Sequence, residues 1–125
     1  MRTTILVIED NDINMDMMIF VLQALGIVVL PALNSPAGLA MARSERPCLI
    51  ICDIQMPELD GYGVLQGVKS DPAVAHIPII ALTALAMAGD GERLLAAGFD
   101  GYLSKPVDFD DLKSELRKHL PTFSG

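Results

Sequence analysis

The sequence predicts an α/β fold, a (βα)5 doubly wound sheet of five parallel strands. The first observation behind this prediction is that the apolar runs are continuous, as expected for strands covered by helices on both faces. The second is that segments of helical period separate these runs along the chain. The predicted strands cover residues 5–8, 27–30, 48–52, 79–82 and 102–104.

Chain order alone leaves the order of the strands in the sheet open. Right-handed crossovers, and the need to bring Asp10 beside Asp53, favour placing the first strand next to the third. We therefore predict the flavodoxin-like order 2-1-3-4-5.

The first helix is predicted to begin with a cap at Asn11 or Asp12 and to end at Gly26. We expect Pro31 to close the second strand that follows. The predicted core stripe of the helix consists of Asn14, Met17, Met18, Val21 and Leu25.

The remaining helices follow the same reasoning. Ser35 and Pro36 begin a second helix that runs to about Glu45. A short third helix carries Val64, Leu65 and Val68 and ends near residues 70–72. A fourth covers about 86–97 and contains Gly89 and Gly91, so its first turns should be weakly held. The last helix has an apolar stripe of Phe109, Leu112, Leu116 and Leu120.

The composition indicates one folded domain, which we place at residues 1–120, followed by a short tail at 121–125. The 125 residues are 51% hydrophobic and 20% charged, which excludes global disorder. The net charge of −7 argues against nucleic acid as a direct partner, because no basic stripe is available for phosphate contact.

No feature of the chain predicts export or a membrane span. Only four apolar residues precede Glu9, too few for a signal peptide. The apolar stretch at 17–33 contains Gln23, Gly26 and Pro31 and is better divided into a helix and a strand. We expect a cytoplasmic protein without membrane contact. Its two cysteines, Cys48 and Cys52, are about 13 Å apart on one extended strand, and we expect buried free thiols.

Polar residues follow four of the predicted strands, at the point where each strand ends. Glu9 and Asp10 follow the first, Asp53 the third, Thr83 the fourth and Lys105 the fifth. In a parallel sheet these residues meet at one edge, where open α/β sheets bind ligands. Three carboxylates without a neighbouring histidine suit Mg²⁺, with Mn²⁺ as an alternative. A fixed aspartate beside a metal and an ammonium group can accept a phosphoryl group, which predicts a phosphoryl-acceptor site.

Four segments, 8–11, 53–57 with 60–61, 82–84 and 102–106, resemble the response-regulator receiver domain of two-component signalling. The resemblance covers nearly the whole chain. Residues 9–11 with Asn14, and residues 86–90, are similar to single-domain regulators of the DivK type and to receivers attached to hybrid histidine kinases.

The resemblance implies a role for each matching residue. Asp53 is the phosphoacceptor, and the expected metal ligands are Glu9, Asp10, Asp53 and the backbone carbonyl of Gln55. Thr83 and Lys105 act on the phosphoryl group, Thr83 and Tyr102 are the switch residues, and the bond before Pro106 is cis. Such a domain catalyses its own phosphorylation and dephosphorylation without being an enzyme in the ordinary sense.

The expected partners are a histidine kinase or a histidine phosphotransfer protein, and a downstream protein target. With the core stripe given above, Met15, Ile19 and Phe20 are left outside the core, and this apolar patch is predicted to receive the kinase. The domain is expected to be a free-standing regulator. The alternative is that it is the receiver module of a larger hybrid kinase and works as a phosphorelay intermediate.

Three other functions fit the sequence less well. An FMN carrier requires a hydroxyl- and glycine-rich phosphate loop where this chain has Glu9 and Asp10. A phosphatase of the haloacid-dehalogenase type requires a general acid at the position of Gln55, which cannot protonate a leaving group. A receiver that works without phosphorylation would lack part of the site.

Overall fold

The computed structural model describes residues 3–56, 60–84, 90–121 and 123 of the chain. Within them, strands and helices alternate from β1 to α5. The strands are β1 (Thr4–Ile8), β2 (Val28–Ala32), β3 (Leu49–Asp53), β4 (Ile79–Thr83) and β5 (Gly101–Ser104). The helices are α1 (Asp12–Ala24), α2 (Ser35–Glu45), α3 (Gly61–Lys69), α4 (Asp90–Ala97) and α5 (Phe109–His119).

All strand pairs are parallel and the order in the sheet is β2-β1-β3-β4-β5, which confirms the predicted class and order. One hydrophobic cluster joins one face of the sheet to α2, α3 and α4, and a second joins the other face to α1 and α5. The central strands β3 and β4 are buried throughout. Coverage of both faces explains why their sequences are continuous apolar runs.

The second strand continues through Pro31, so the prediction that Pro31 closes it was wrong. Pro31 lies in β2 and pairs with Val7 of β1. Among the described residues β2 pairs only with β1, which makes it an edge strand. Proline is tolerated there because its missing N–H is not needed on the open side.

The predicted core stripe of α1 was partly wrong: Met18 is buried and Val21 and Leu25 pack against the core, but Met17 does not belong to it. The helix buries Met15, Met18 and Leu22, whereas Met17 is 55% exposed. Met15 therefore cannot belong to an exposed docking patch. The physical reason is that the helix is apolar on nearly every side, so its sequence does not select one face and packing against the sheet decides.

The predicted apolar stripe of α5 needs one correction. Phe109 is 44% exposed, whereas Leu112, Leu116 and Leu120 are buried as predicted. Phe109 is the first residue of α5, and its ring lies 5.0 Å from the ammonium group of Lys113 instead of in the core.

The cysteines are both free, but only Cys52 is buried and Cys48 is exposed. Cys48 lies one residue before β3, outside the covered part of the strand. Burial, followed by the charge of Asp53, raises the pKa of the Cys52 thiol, which therefore stays protonated.

The predicted fourth helix is confirmed from Asp90 to Ala97, and its expected first residues, 86–89, lie outside the described residues. In the described part of the chain, no helix combines the length and hydrophobicity that a membrane crossing requires.

Candidate functional site

The strand ends bring the predicted site residues to one edge of the sheet. Glu9 follows β1, Asp53 ends β3 and Thr83 ends β4. The register pairs Ile8 with Cys52, so the residues that follow these two, Glu9 and Asp53, lie beside each other on adjacent strands. Glu9, Asp53 and Thr83 are each at most 2% exposed. Such burial of acids is rare unless they have a partner.

Lys105 supplies the positive charge at this edge. Its Nζ lies 2.7 Å from Asp53 Oδ2 and 3.3 Å from Glu9 Oε2. Its backbone N–H donates to the carbonyl oxygen of Thr83 at 2.7 Å, and the bond to Pro106 is cis, as expected. Burial by itself lowers the pKa of Lys105, but the hydrogen bond and charge of Asp53, with the charge of Glu9, outweigh it and raise the pKa. The ammonium group is therefore fixed and charged.

Asp53 is held from both sides. Its Oδ1 accepts a hydrogen bond from the backbone N–H of Gln55 at 2.9 Å, while Oδ2 contacts Lys105. The start of α3 packs against the same turn, because a Cβ at Gly61 would lie 2.6 Å from the Cα of Ile54. Asp60 caps this helix by accepting from the N–H of Gly63. The Asp60-Gly61 pair therefore supports the turn that carries the Asp53 carboxylate.

Glu9 is buried, and its two carboxylate oxygens have different partners. Its Oε1 accepts a hydrogen bond from the backbone N–H of Asn11 at 3.1 Å, whereas Oε2 has only the ion pair with the Lys105 ammonium at 3.3 Å. Burial, reinforced by the neighbouring Asp53, raises the pKa of Glu9 to about 7 against the opposing effects of Asn11 and Lys105. Glu9 and Asp53 thus share one ammonium group, and a cation would relieve the remaining cost of burying two neighbouring carboxylates.

The acidic group fits a divalent cation. Glu9, Asp10 and Asp53 each offer one carboxylate oxygen, and these oxygens all lie within 4.8 Å of one another. Asp10 is exposed and opens the cluster to solvent. Three carboxylate oxygens form a hard ligand set, and the open side leaves room for water ligands, as Mg²⁺ requires. The side chains present therefore suit Mg²⁺ better than zinc.

Thr83 and Tyr102 occupy different surroundings. Thr83 lies in the crevice and is buried. Tyr102 is 41% exposed on β5, outside the crevice and beside α4. Thr83 thus joins the acids and Lys105, whereas the structure leaves Tyr102 outside that group.

The sequence reasoning missed the role of Asn11 in the site. It was considered only as a cap and a family feature, and it does cap α1 by accepting from the N–H of Asn14 at 2.9 Å. Its own N–H also orients Glu9. The signal was available, because a residue that begins a helix directly after two acids has a free N–H near them.

An apolar groove lies beside the crevice between α1 and α5. The predicted docking residues differ here, with Phe20 75% exposed, Ile19 only partly exposed and Met15 buried. The groove is lined by Asn14, Met17, Met18, Val21, Leu82, Lys105, Pro106, Val107, Phe109 and Leu112. The apolar surface next to the site is therefore real, but it is built from other residues than those predicted.

A family model described as the response regulator receiver domain matches residues 5–117. The chain belongs to this family. The match takes in every strand end that contributes to the site, and the expected resemblance is confirmed. The receiver domain acts in two-component signalling, and its family binds Mg²⁺ at an acidic pocket of the kind formed here by Glu9, Asp10 and Asp53.

Curated relatives cover nearly the whole receiver domain. The polar-differentiation response regulator DivK of Brucella anthropi is 37% identical over 120 residues, which are 96% of this chain and 98% of the relative. DivK of Brucella ovis is 35% identical over the same number of residues. The similarity to DivK extends from end to end.

Solved structures of other receivers have the same fold. The receiver domain of a sensor histidine kinase from Pseudomonas aeruginosa, with a magnesium ion coordinated in its active site cleft, is 32% identical. Its TM-score is 0.88, and the match covers 98% of this chain and 100% of that one. The chemotaxis protein CheY4 of Vibrio cholerae has a TM-score of 0.87 at 27% identity, covering 96% of this chain and 100% of CheY4.

Proposed function

We propose that this receiver domain is a phosphorylation-dependent switch of the cytoplasm. Asp53 accepts a phosphoryl group from a phosphohistidine on a histidine kinase or a phosphotransfer protein, with Mg²⁺ as the cofactor and Mn²⁺ as a substitute. The observation that supports this most is the buried Asp53 carboxylate, 2.7 Å from the Lys105 ammonium and within the three-acid group.

The chain's own residues account for the transfer. A carboxylate oxygen of Asp53 attacks phosphorus, the bond between phosphorus and the histidine nitrogen breaks, and that nitrogen keeps the electron pair. Lys105 offsets the negative charge on the phosphoryl oxygens, and the Thr83 hydroxyl donates a hydrogen bond to one of them. Glu9, Asp10, Asp53 and the Gln55 carbonyl would hold Mg²⁺, which would supply further charge neutralisation. In dephosphorylation, water attacks the same phosphorus, the bond between phosphorus and the Asp53 oxygen breaks, and inorganic phosphate leaves while Asp53 returns to a carboxylate.

The phosphorylated domain acts through contacts with another protein. The Thr83 hydroxyl moves toward a phosphoryl oxygen, and Tyr102 couples this movement to a change in the surface formed by α4, β5 and α5. The acidic net charge of −7 disfavours nucleic acid as the target and favours another protein.

We place the kinase contact on α1 and the neighbouring groove. Ile13, Met17 and Phe20 are 72%, 55% and 75% exposed and lie three or four residues apart, so they form one apolar stripe along the helix. Exposed apolar patches of this kind mark interaction sites. Of the residues expected from the sequence, Phe20 belongs to this stripe, whereas Ile19 is half-buried against the core and Met15 is buried.

The test is labelling with acetyl phosphate in Mg²⁺ or in EDTA, followed by intact-mass measurement. The wild-type protein should gain one phosphoryl group only with Mg²⁺, and Asp53→Asn should gain none. Asp60→Asn is the matched control, because it alters a nearby carboxylate but keeps a residue that caps α3. Equal labelling in EDTA, or labelling of Asp53→Asn, would contradict the proposal.

The alternative is that the domain is the receiver module of a hybrid histidine kinase and passes its phosphoryl group onward. Two receivers of histidine kinases are similar to it in structure, at 32% and 31% identity. A relay intermediate should return the phosphoryl group from Asp53 to the histidine of a phosphotransfer protein, whereas a terminal switch should lose it mainly to water.

A further inference from the structure

The ring of Tyr102 lies directly over Gly91 of α4. A Cβ built at Gly91 would come within 2.6 Å of ring atom Cε1 and closer still to Cζ and the hydroxyl oxygen. Real Cβ atoms do not approach a ring this closely, so any side chain at position 91 would displace it. The absence of a side chain at Gly91 therefore makes the observed position of Tyr102 available.

The structure of α4 itself does not require a glycine at position 91. Gly91 is the second residue of α4, and a glycine inside a helix is destabilising relative to alanine. The close approach of the Tyr102 ring is the feature of the structure that requires a residue without a Cβ at this position.

Tyr102 shares a face of the sheet with Thr83. Tyr102 pairs with Ala81, and Thr83 lies two residues further along the same strand, on the same side. Ala81 belongs to the cluster that contacts α4, whereas Leu103 belongs to the opposite one. Tyr102 and Thr83 therefore project from the face of the sheet that α4 covers, and the Tyr102 ring contacts α4 at Gly91.

We infer that Gly91 is a positioning residue for the switch. Because it has no side chain, the Tyr102 ring can rest against α4, away from Thr83. The inference rests on the proposed function, in which the Thr83 hydroxyl moves toward the phosphoryl group. That movement leaves space behind the hydroxyl into which a ring released from α4 can turn. A side chain at position 91 then favours the phosphorylated arrangement, and by linkage it raises the affinity for a phosphoryl group at Asp53.

The first experiment measures the ring directly. The chain has two tyrosines, so Tyr62→Phe leaves Tyr102 as the sole site for 3-fluorotyrosine and ¹⁹F NMR. Gly91→Ala should shift the Tyr102 resonance. Glu92→Ala is the matched control, since it places alanine at the next, exposed position of the same helix and should leave the resonance in place. An unshifted resonance in Gly91→Ala would overturn the inference.

The second experiment measures coupling to the site with beryllofluoride and Mg²⁺ as the phosphoryl mimic. Gly91→Ala should bind it about fivefold more tightly than the wild type, a typical coupling between sites. The same substitution in a Tyr102→Ala background should leave affinity unchanged, because without the ring only helix propensity differs. Unchanged or weaker binding by Gly91→Ala, or an equal gain without the ring, would overturn the inference.

The two experiments separate this inference from the proposed function. Failure of the wild-type protein to bind beryllofluoride would count against the phosphoryl site at Asp53, and it would also remove the regulatory role of Gly91. In that case the displacement of the Tyr102 ring by Gly91→Ala would still be seen in the ¹⁹F spectrum. Thermal melting of each variant shows that it is folded, and Gly91→Ala should melt no lower than the wild type.

Discussion

The substitution Glu9→Gln should make the metal-free protein more stable at alkaline pH. Glu9 is fully buried, and its Oε2 has only the ion pair with Lys105 at 3.3 Å. Burial, with the neighbouring Asp53, raises its pKa from 4.5 to about 7. Glutamine has nearly the shape of protonated glutamate but carries no charge at any pH, so it removes the titration and keeps the packing.

The sign of the effect follows from proton linkage. Because the pKa is higher in the folded state, the folded protein holds this proton more tightly than the unfolded chain. Stability from this group is complete below pH 4.5 and is lost as pH rises through about 7. A tenfold change in proton affinity is worth about 1.4 kcal/mol, which gives about 3 kcal/mol at most. The crevice opens to solvent at Asp10, so we expect about 2 kcal/mol after screening.

The assay is urea unfolding in EDTA between pH 5 and pH 8. We compare the free energies of unfolding of Glu9→Gln and the wild type at each pH. The difference in favour of Glu9→Gln should be about 2 kcal/mol larger at pH 8 than at pH 5. Taking the difference between the two proteins cancels every pH effect that they share. Glu45→Gln, an exposed glutamate at the end of α2, is the control and should show no such pH dependence.

A wild-type protein that loses no more stability than Glu9→Gln between pH 5 and pH 8 would refute this reasoning. It would mean that Glu9 remains charged in the folded state and that Lys105 alone compensates it. The acidic group would then be a paired structural cluster and would have little need of a cation.

Three further predictions concern the metal, the switch and the docking surface. Asp10→Asn should raise the melting temperature of the metal-free protein, because it relieves repulsion among the three carboxylates, and it should reduce the further rise that Mg²⁺ produces. Both are measured by calorimetry, and a lower metal-free melting temperature in Asp10→Asn would contradict this explanation. Thr83→Ala should still be labelled by acetyl phosphate but lose phosphorylation-dependent binding to its target, whereas Lys105→Ala should be impaired in both; normal target binding by Thr83→Ala would exclude its hydroxyl as the switch. Phe20→Glu should abolish transfer from a phosphorylated histidine kinase but keep acetyl phosphate labelling, with exposed Gln23→Glu as control; transfer that survives in Phe20→Glu would place the kinase elsewhere.

The fold and the position of the site could be predicted because they depend on strong local signals. Continuous apolar runs identify buried parallel strands, and parallel strands necessarily bring their carboxyl ends to one edge. Asp53, Thr83 and Lys105 each come at or directly after a strand end, so finding the strands was enough to assemble them.

The face of α1 could not be predicted, because Met15, Met17, Met18 and Leu22 are similar in hydrophobicity and only the fit against the sheet decides which are buried. The same limit affected Phe109, whose place at the start of α5 leaves it at the protein surface. Pro31 was misassigned because an edge strand cannot be told from an interrupted one before the strand order is known.

The electrostatic contacts of the site could not be predicted from the sequence, because they depend on how the folded chain runs. That Glu9 is buried beside Lys105, and that Asn11 donates to it, depends on the path of the chain after β1. The contact between Gly91 and Tyr102 joins two elements and has no sequence signal beyond the presence of a glycine in a helix. These details are the ones that determine how the site binds metal and how it reports phosphorylation.

The central claim is that Asp53 is the phosphoacceptor, and mapping the modified residue tests it most directly. Protein labelled with acetyl phosphate and Mg²⁺ is reduced with borohydride, which converts an aspartyl phosphate to the corresponding alcohol, and is then digested for peptide mass spectrometry. We predict that Asp53 alone is converted and that omitting Mg²⁺ prevents the conversion. Conversion at Asp10 or another carboxylate, with Asp53 unmodified, would contradict the account.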